Sequence, residues 1–145
     1  MRKRVLGVKP VIKALACGLL GDGGRYLFLK QVDRHGIERL TLPCVLVYSG
    51  RSPVAELRGE FPGQTGIDGE IHEIIYEGRY NAGTRRRKNW VPCLVFKVTA
   101  KKRRAAPSSE FSGFRWLSLE DAKKQKLGRK SEWLKKVRSF PKAGT

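Results

Sequence analysis

Two apolar, β-compatible runs near the start of the chain, residues 11–20 and 26–31, are separated by Gly21-Asp22-Gly23-Gly24. Glycine reaches positive φ without steric cost, so this tetrapeptide suits a tight turn and the two runs predict an antiparallel hairpin. A second turn signal at residues 33–36 precedes a short run at 39–42, then Pro43 and another strand-like run at 45–48. Ser52 followed by Pro53 starts a helix: the serine oxygen caps a free N–H, and proline has none to lose at the first helical position. That helix is predicted from Pro53 to about Phe61. Pro62 and Gly63 oppose its continuation, because proline cannot donate to the carbonyl of Arg58 and glycine adds entropic cost.

Beyond it, residues 70–77 and 91–100 are strand-like, joined by a basic connection over 81–89, and 114–117 gives a last short strand. Ser118, with Asp121 three residues on, marks a helix over 119–126. A second C-terminal helix is predicted over 131–138, with Trp133, Leu134 and Val137 on one face as packing residues. At 145 residues the chain suits one domain with a real core. The expected division is a basic arm over 1–10, a single domain over 11–140 and a tail over 141–145.

With 40% hydrophobic and 30% charged residues, the composition excludes collagen-like, mucin-like and wholly disordered chains. No apolar run approaches the ~20 residues of a membrane span. The basic, acid-free first 21 residues carry too short an apolar stretch for a usual signal peptide. Cys17, Cys44 and Cys93 are odd in number and lack C-x-x-C spacing, so neither a disulfide framework nor a zinc site is expected, and nothing suggests haem. A reducing cytoplasm is the plain expectation.

Residues 42–67 read LPCVLVYSGRSPVAELRGEFPGQTGI. This segment resembles a Nudix box, which typically reads LPGGKVEPGESPEEAALREVKEETGI. The two align without a gap and share Leu42, Pro43, Val47, Gly50, Ser52, Pro53, Glu60, Thr65, Gly66 and Ile67. A hairpin before the box, strands after it and the later Phe114-Arg115-Trp116-Leu117-Ser118 passage are similar to the family too. The resemblance implies an α+β Nudix fold, a mixed β-sheet sandwiched between helices (α/β/α).

It also implies chemistry that this chain has largely lost. In the signature G-x5-E-x7-R-E-U-x-E-E-x-G-U, the first Gly falls on Val45, the next Glu on Arg51 and the Arg on Gly59. Glu60 keeps its carboxylate, while the Glu-Glu pair becomes Gly63 and Gln64. Nudix enzymes hold magnesium or manganese with helix carboxylates on one face, so that the ion polarises a diphosphate and activates water. Gly63 offers no ligand, Gln64 only a neutral amide, and Arg51 a charge of the wrong sign. No catalytic residue is therefore assigned, and no cofactor is expected. Should hydrolase chemistry survive, Glu60 with its i+4 neighbour Glu56 would hold the metal; otherwise both are ordinary helix-surface acids paired with Arg or Lys. Glu73 and Glu77 share one face of the following strand while Glu70 and His72 lie on the other, so these carboxylates do not all converge. His72 reads as a half-exposed strand residue, and His35 as a turn residue.

The positive charge is the remaining signal. Lys and Arg number 31 against 13 acids, a formal net charge of +18. Self-repulsion of that size opposes compactness unless counterions or a polyanion offset it. Arg85, Arg86, Arg87 and Lys88 form one cluster, and Lys101, Lys102, Arg103 and Arg104 another, at the two ends of the predicted strand 91–100. Such a spacing is about 30 Å at ~3.3 Å per residue, enough to lie beside several phosphates. RNA is the expected partner, bound through phosphate neutralisation, and a place within a ribonucleoprotein such as the ribosome fits the resemblance. Tyr80 and Trp90 bracket the first cluster, either as rings stacking on unpaired bases or as core and hairpin-cap residues. The other expectation is a diverged Mg- or Mn-dependent pyrophosphohydrolase acting on a nucleoside diphosphate derivative or an RNA 5′ end.

Overall fold

The computed structural model describes residues 10–140; the tail expected at 141–145 and all but the last residue of the arm expected at 1–10 lie outside them. Seven strands form one mixed sheet: β1 (Ile12–Asp22), β2 (Arg25–Val32), β3 (Glu38–Thr41), β4 (Cys44–Tyr48), β5 (Glu70–Asn81), β6 (Trp90–Thr99) and β7 (Gly113–Leu117). The path runs β3-β2-β1-β6-β5, with β4 added to β1 and β7 to β2. Among the strands of the described residues only β1 and β6 pair in parallel, Leu15 opposite Cys93 through Leu20 opposite Val98, and a single parallel bridge joins Leu40 to Leu127. The expected first hairpin forms, and Gly23 and Gly24 take the positive φ values of 61° and 85° that its turn requires.

Strand alternation builds the two faces. Leu15, Cys17 and Leu19 of β1 join Cys93 and Val95 of β6 in one core, covered by Trp133, Leu134 and Val137. Ala14, Ala16 and Leu20, with Phe96 and Val98, form the other, covered by Leu57 and Phe61 of helix α1 (Pro53–Thr65). The short helix α2 (Leu119–Lys123) and a 3₁₀ helix (Arg129–Lys136) lie on the first side. The mixed sheet is thus sandwiched between helical layers, as the sequence implied. Cys17, Cys44 and Cys93 are free and buried, Cys17 Sγ lying 3.9 Å from Cys93 Sγ, and burial pushes the Cys17 thiol up so that it stays neutral.

Several sequence boundaries are corrected. The helix predicted to stop near Phe61 runs on to Thr65, with Pro62 inside it. Leu57, Phe61 and Thr65 recur every four residues and are all buried against the sheet, while Pro62 faces outward. Packing therefore outweighs the one missing hydrogen bond to the Arg58 carbonyl. The last turn is closed by Thr65 Oγ1 donating to the Phe61 carbonyl (2.8 Å) and by the Gly66 amide donating to the Pro62 carbonyl (2.7 Å). Strand β5 continues past Glu77 to Asn81 because it pairs with β6 throughout, and register shifts between Ile71 and Tyr76 break its regular alternation. The predicted helix over 119–126 ends at Lys123, and the one over 131–138 is the 3₁₀ helix, although its Trp133, Leu134 and Val137 are buried as expected.

Candidate nucleic-acid interface

The segment 42–67 forms β4, a turn and α1, and several of its polar groups are put to structural use. Ser52 caps α1, its hydroxyl accepting from the Ala55 amide at 3.2 Å. Arg51 reaches Glu56 through Nη2 at 3.0 Å and Nε at 3.1 Å, so that carboxylate is already partnered by a cation. Gln64 bonds the backbone of Cys44 at both ends of its amide, Nε2 donating to the carbonyl at 2.9 Å and Oε1 accepting the N–H at 3.2 Å. Gly59 and Gly63 face open space.

Glu60 is exposed, and among the described residues it has no ion-pair partner. No group of three His, Cys, Asp or Glu among these residues is placed to hold a metal ion. Magnesium takes near-octahedral oxygen ligands. One exposed carboxylate, one carboxylate held by arginine and one amide held by the backbone do not fit that requirement. Glu70, Glu73 and Glu77 are exposed along β5, and His72 is spent on Thr99, Nε2 to Oγ1 at 2.6 Å.

The two basic clusters lie at opposite ends of β6. Lys101, Lys102, Arg103 and Arg104 follow its C-terminus, where Lys101 and Lys102 share a cleft with Asp68 and Glu70, and Arg103 a shallow one with Asp22. Their charge is partly offset there. Arg85, Arg86, Arg87 and Lys88 occupy the loop joining β5 to β6, and all four are exposed.

That loop is fastened at its base. Asn81 Oδ1 accepts from the amides of Gly83 (3.0 Å) and Asn89 (2.9 Å), and its Nδ2 donates to the Thr84 carbonyl at 3.1 Å. Thr84 closes the tip, its hydroxyl accepting from the Arg87 amide at 2.8 Å while its own amide donates to the Arg87 carbonyl at 2.9 Å. From the 3₁₀ helix, Arg129 Nη2 donates to the Asn81 carbonyl at 2.8 Å and to that of Gly83. The cations are thus presented on a braced turn.

Beside it lies a groove of about 670 Å³, carrying Arg34, Arg39, Arg85, Lys88 and Arg129 against one lining acid, Glu132. Arg39 is held on its wall by Asp33, Nε to Oδ2 at 2.8 Å, and donates to the Leu127 carbonyl at 3.3 Å. The same Asp33 carboxylate accepts from the His35 and Ile37 amides. Chiefly the Arg39 hydrogen bond, then the Ile37 amide, lower it to about 2.

The two rings flanking the loop separate. Tyr80 is 8% exposed, inside the core, with the Arg129 guanidinium 5.7 Å from its ring centroid, so it is not a base-stacking residue. Trp90 is 50% exposed, with Arg79 4.9 Å over its ring. Sequence reasoning missed Arg34 and Arg39, which line this groove, and Arg79 over Trp90; all three lie outside the basic runs and reach the surroundings of the loop only through the fold.

No family model and no curated protein matches the sequence. Solved structures do. A MutT protein from Methanosarcina mazei Go1 superposes with a TM-score of 0.66 at 22% identity, over 88% of this chain and 93% of that one. An ADP-ribose pyrophosphatase from Streptococcus suis 89-1591 gives 0.62 at 15%, over 86% of each. An Ap4A hydrolase from C. elegans gives 0.57 at 20%, over 79% of this chain and 85% of that one. Strand order, the helix carrying the box and these superpositions agree that the chain has the fold of the Nudix hydrolases.

Proposed function

We propose that this chain is a non-catalytic Nudix-fold module that binds RNA, suited to a cytoplasmic ribonucleoprotein such as the ribosome, and that it needs no cofactor. The observation that carries the reading is the groove beside the 82–89 loop, lined by five cations, of which Arg39 is paired with Asp33, and by the acid Glu132. Phosphates bound there would release condensed counterions, giving affinity that falls steeply with salt and depends little on sequence. Arg85, Arg86, Arg87 and Lys88 supply charges on a braced turn, which reduces the ordering cost of binding. Lys101, Lys102, Arg103 and Arg104, at the far end of β6, would extend the footprint.

The test is protein purified at low salt, its ultraviolet absorbance ratio and the sequence of any nucleic acid that travels with it, followed by salt titration of RNA affinity. Replacing Arg85, Arg86, Arg87 and Lys88 together by Ala should weaken binding and flatten the salt slope. Nucleic-acid-free protein with no salt-dependent RNA affinity would overturn the reading.

A second reading is a diverged Mg- or Mn-dependent pyrophosphohydrolase using Glu60 and Glu56. It draws on the likeness in fold to proteins described as an ADP-ribose pyrophosphatase and an Ap4A hydrolase. Metal-dependent product release from nucleoside diphosphate derivatives or 5′-modified RNA, abolished by Glu60→Gln, would establish it over the first.

A further inference from the structure

Strand parity sets Trp90 apart from the packed rings. Val91, Cys93 and Val95 enter the core under the 3₁₀ helix, so Trp90 and Pro92 project from the opposite face of β6. In the β5–β6 ladder Tyr80 stands opposite Val91, Arg79 opposite Pro92 and Asn81 opposite Trp90. Arg79 and Trp90 are therefore diagonal neighbours on that outer face. Helix α1 covers this side of the sheet against Leu20, Phe96 and Val98, at the other end of β6. At the end near the loop Glu77, Arg79, Trp90 and Pro92 are all exposed.

The arrangement is a guanidinium 4.9 Å over an indole that keeps half its surface in water. The other two indoles are packed: Trp133 is 8% exposed and stacks on Tyr76 at 5.3 Å between centroids, and Trp116 is half-buried against the second core. Leaving Trp90 out forgoes a large apolar contribution. The ring also begins where the cationic loop ends. Asn89, between Lys88 and Trp90, has its amide fixed on Asn81 Oδ1 at 2.9 Å, so loop and ring share one rigid base. Two residues of extended chain span at most ~7 Å, within the reach of a single nucleotide.

We infer that the Arg79–Trp90 pair is a stacking platform for an unpaired base of single-stranded RNA whose phosphates lie on the 82–89 loop. The inference rests on the RNA reading above and names the form of RNA that the site selects. Planar aromatic and guanidinium groups both stack on bases, and stacking tolerates any base because each has a π-face. A paired base offers no such face: in A-form duplex the bases are stacked on one another and the major groove is too deep and narrow for side chains. Charge complementarity decides for a polyanion over an apolar partner, since Arg79 lies over the ring, the exposed Arg85, Arg86, Arg87 and Lys88 stand on the adjoining loop, with Arg85 and Lys88 lining the groove beside the 3₁₀ helix, and Glu77 is an acid on the face of Arg79. The site lies at the loop end of β5 and β6, whereas α1 packs at the other end of β6 and β4 lies beyond β1.

The experiment measures binding of the full chain to a labelled 12-nucleotide oligoadenylate and to a 12-base-pair RNA duplex. The variants are Trp90→Ala, Trp90→Phe and the quadruple alanine replacement of residues 85–88, each checked for an unchanged thermal unfolding profile. Trp90→Ala should weaken oligoadenylate binding about 5- to 150-fold, the range that stacking of one base supports. Trp90→Phe should recover most of the loss, and duplex binding should be unaffected by either. Oligoadenylate should quench the tryptophan emission of the wild type and not that of Trp90→Phe. If Trp90→Ala binds oligoadenylate as the wild type does while the quadruple variant fails, the platform is wrong and the cationic groove stands. If the wild type binds neither RNA, the RNA reading falls and takes the platform with it.

Discussion

Gln64 ties the last turn of α1 to the first residue of β4 by bonding both backbone groups of Cys44, as donor at 2.9 Å and acceptor at 3.2 Å. The box resemblance places a glutamate at this position. A primary amide can satisfy a carbonyl and an N–H together; a carboxylate can only accept. Gln64→Glu should therefore set a carboxylate oxygen against the Cys44 carbonyl and destabilise the fold by about 1–3 kcal/mol, the cost of an unsatisfied or opposed buried polar group. Urea unfolding measures it. An unchanged midpoint would mean the clamp contributes nothing.

Two glycines of the box region should respond with opposite signs. Gly66 caps α1 at φ 74°, and a Cβ there would come within 2.5 Å of the Ala106 carbonyl oxygen. Gly66→Ala should cost at least about 1–2 kcal/mol from the left-handed backbone alone. Gly63 lies within the helix and a Cβ there meets nothing within 4 Å. Gly63→Ala should stabilise by about 0.5–1 kcal/mol, since alanine loses less backbone entropy on folding. Thermal melts of the two variants should move in opposite directions, and a shared direction would contradict this account.

What was legible in the sequence was local. The Gly23-Gly24 turn, the Ser52 and Ser118 caps and the buried face of Trp133, Leu134 and Val137 each depend on residues close together in the chain, and each forms. Pro62 misled because its penalty is local whereas the burial of Phe61 and Thr65 that overrides it is tertiary. Tyr80 and Trp90 looked alike because facing is set by the long β5–β6 pairing and its register shifts, which neighbouring residues do not disclose. The groove was hidden for the same reason. Arg34, Arg39, Arg85 and Arg129 come from three separate parts of the chain and meet only when the β2–β3 turn, the β5–β6 loop and the 3₁₀ helix share one end of the sheet.

Asp33 should couple stability to acid. Its carboxylate is lowered to about 2 by Arg39 and the Ile37 amide, below the usual ~3.9 of an unfolded chain. A depressed carboxylate pKa contributes stability that is complete above about pH 4 and lost as the pH falls toward 2. Wild type should exceed Asp33→Asn in stability at pH 6, and the gap should close between pH 4 and 2. Carboxyl NMR of Asp33 should titrate near 2. A midpoint near 4 would show that Arg39 does not hold this charge in solution.

Gly83 tests whether the shape of the 82–89 loop matters as well as its charge. A Cβ at this position would collide with the Arg87 carbonyl oxygen and come within 3.0 Å of the Asn89 nitrogen, both backbone atoms that cannot swing aside as a side chain would. Relieving the clash must pull Gly83 or Asn89 from Asn81 Oδ1, the acceptor on which both amides converge. Arg129 would lose part of its grip too, since it bonds the Gly83 carbonyl. Apart from Ala82, which packs against the core under the 3₁₀ helix, the loop lies outside both core clusters, so Gly83→Ala should shift global unfolding little. It leaves every Lys and Arg in place but makes binding bear the cost of ordering the turn. RNA affinity at fixed salt should therefore fall several-fold while the slope against salt stays near that of the wild type, because the number of phosphates neutralised is unchanged. The quadruple alanine variant should lose affinity and slope together. Wild-type affinity in Gly83→Ala would show that the cations act as a mobile cloud, with no need of the braced turn.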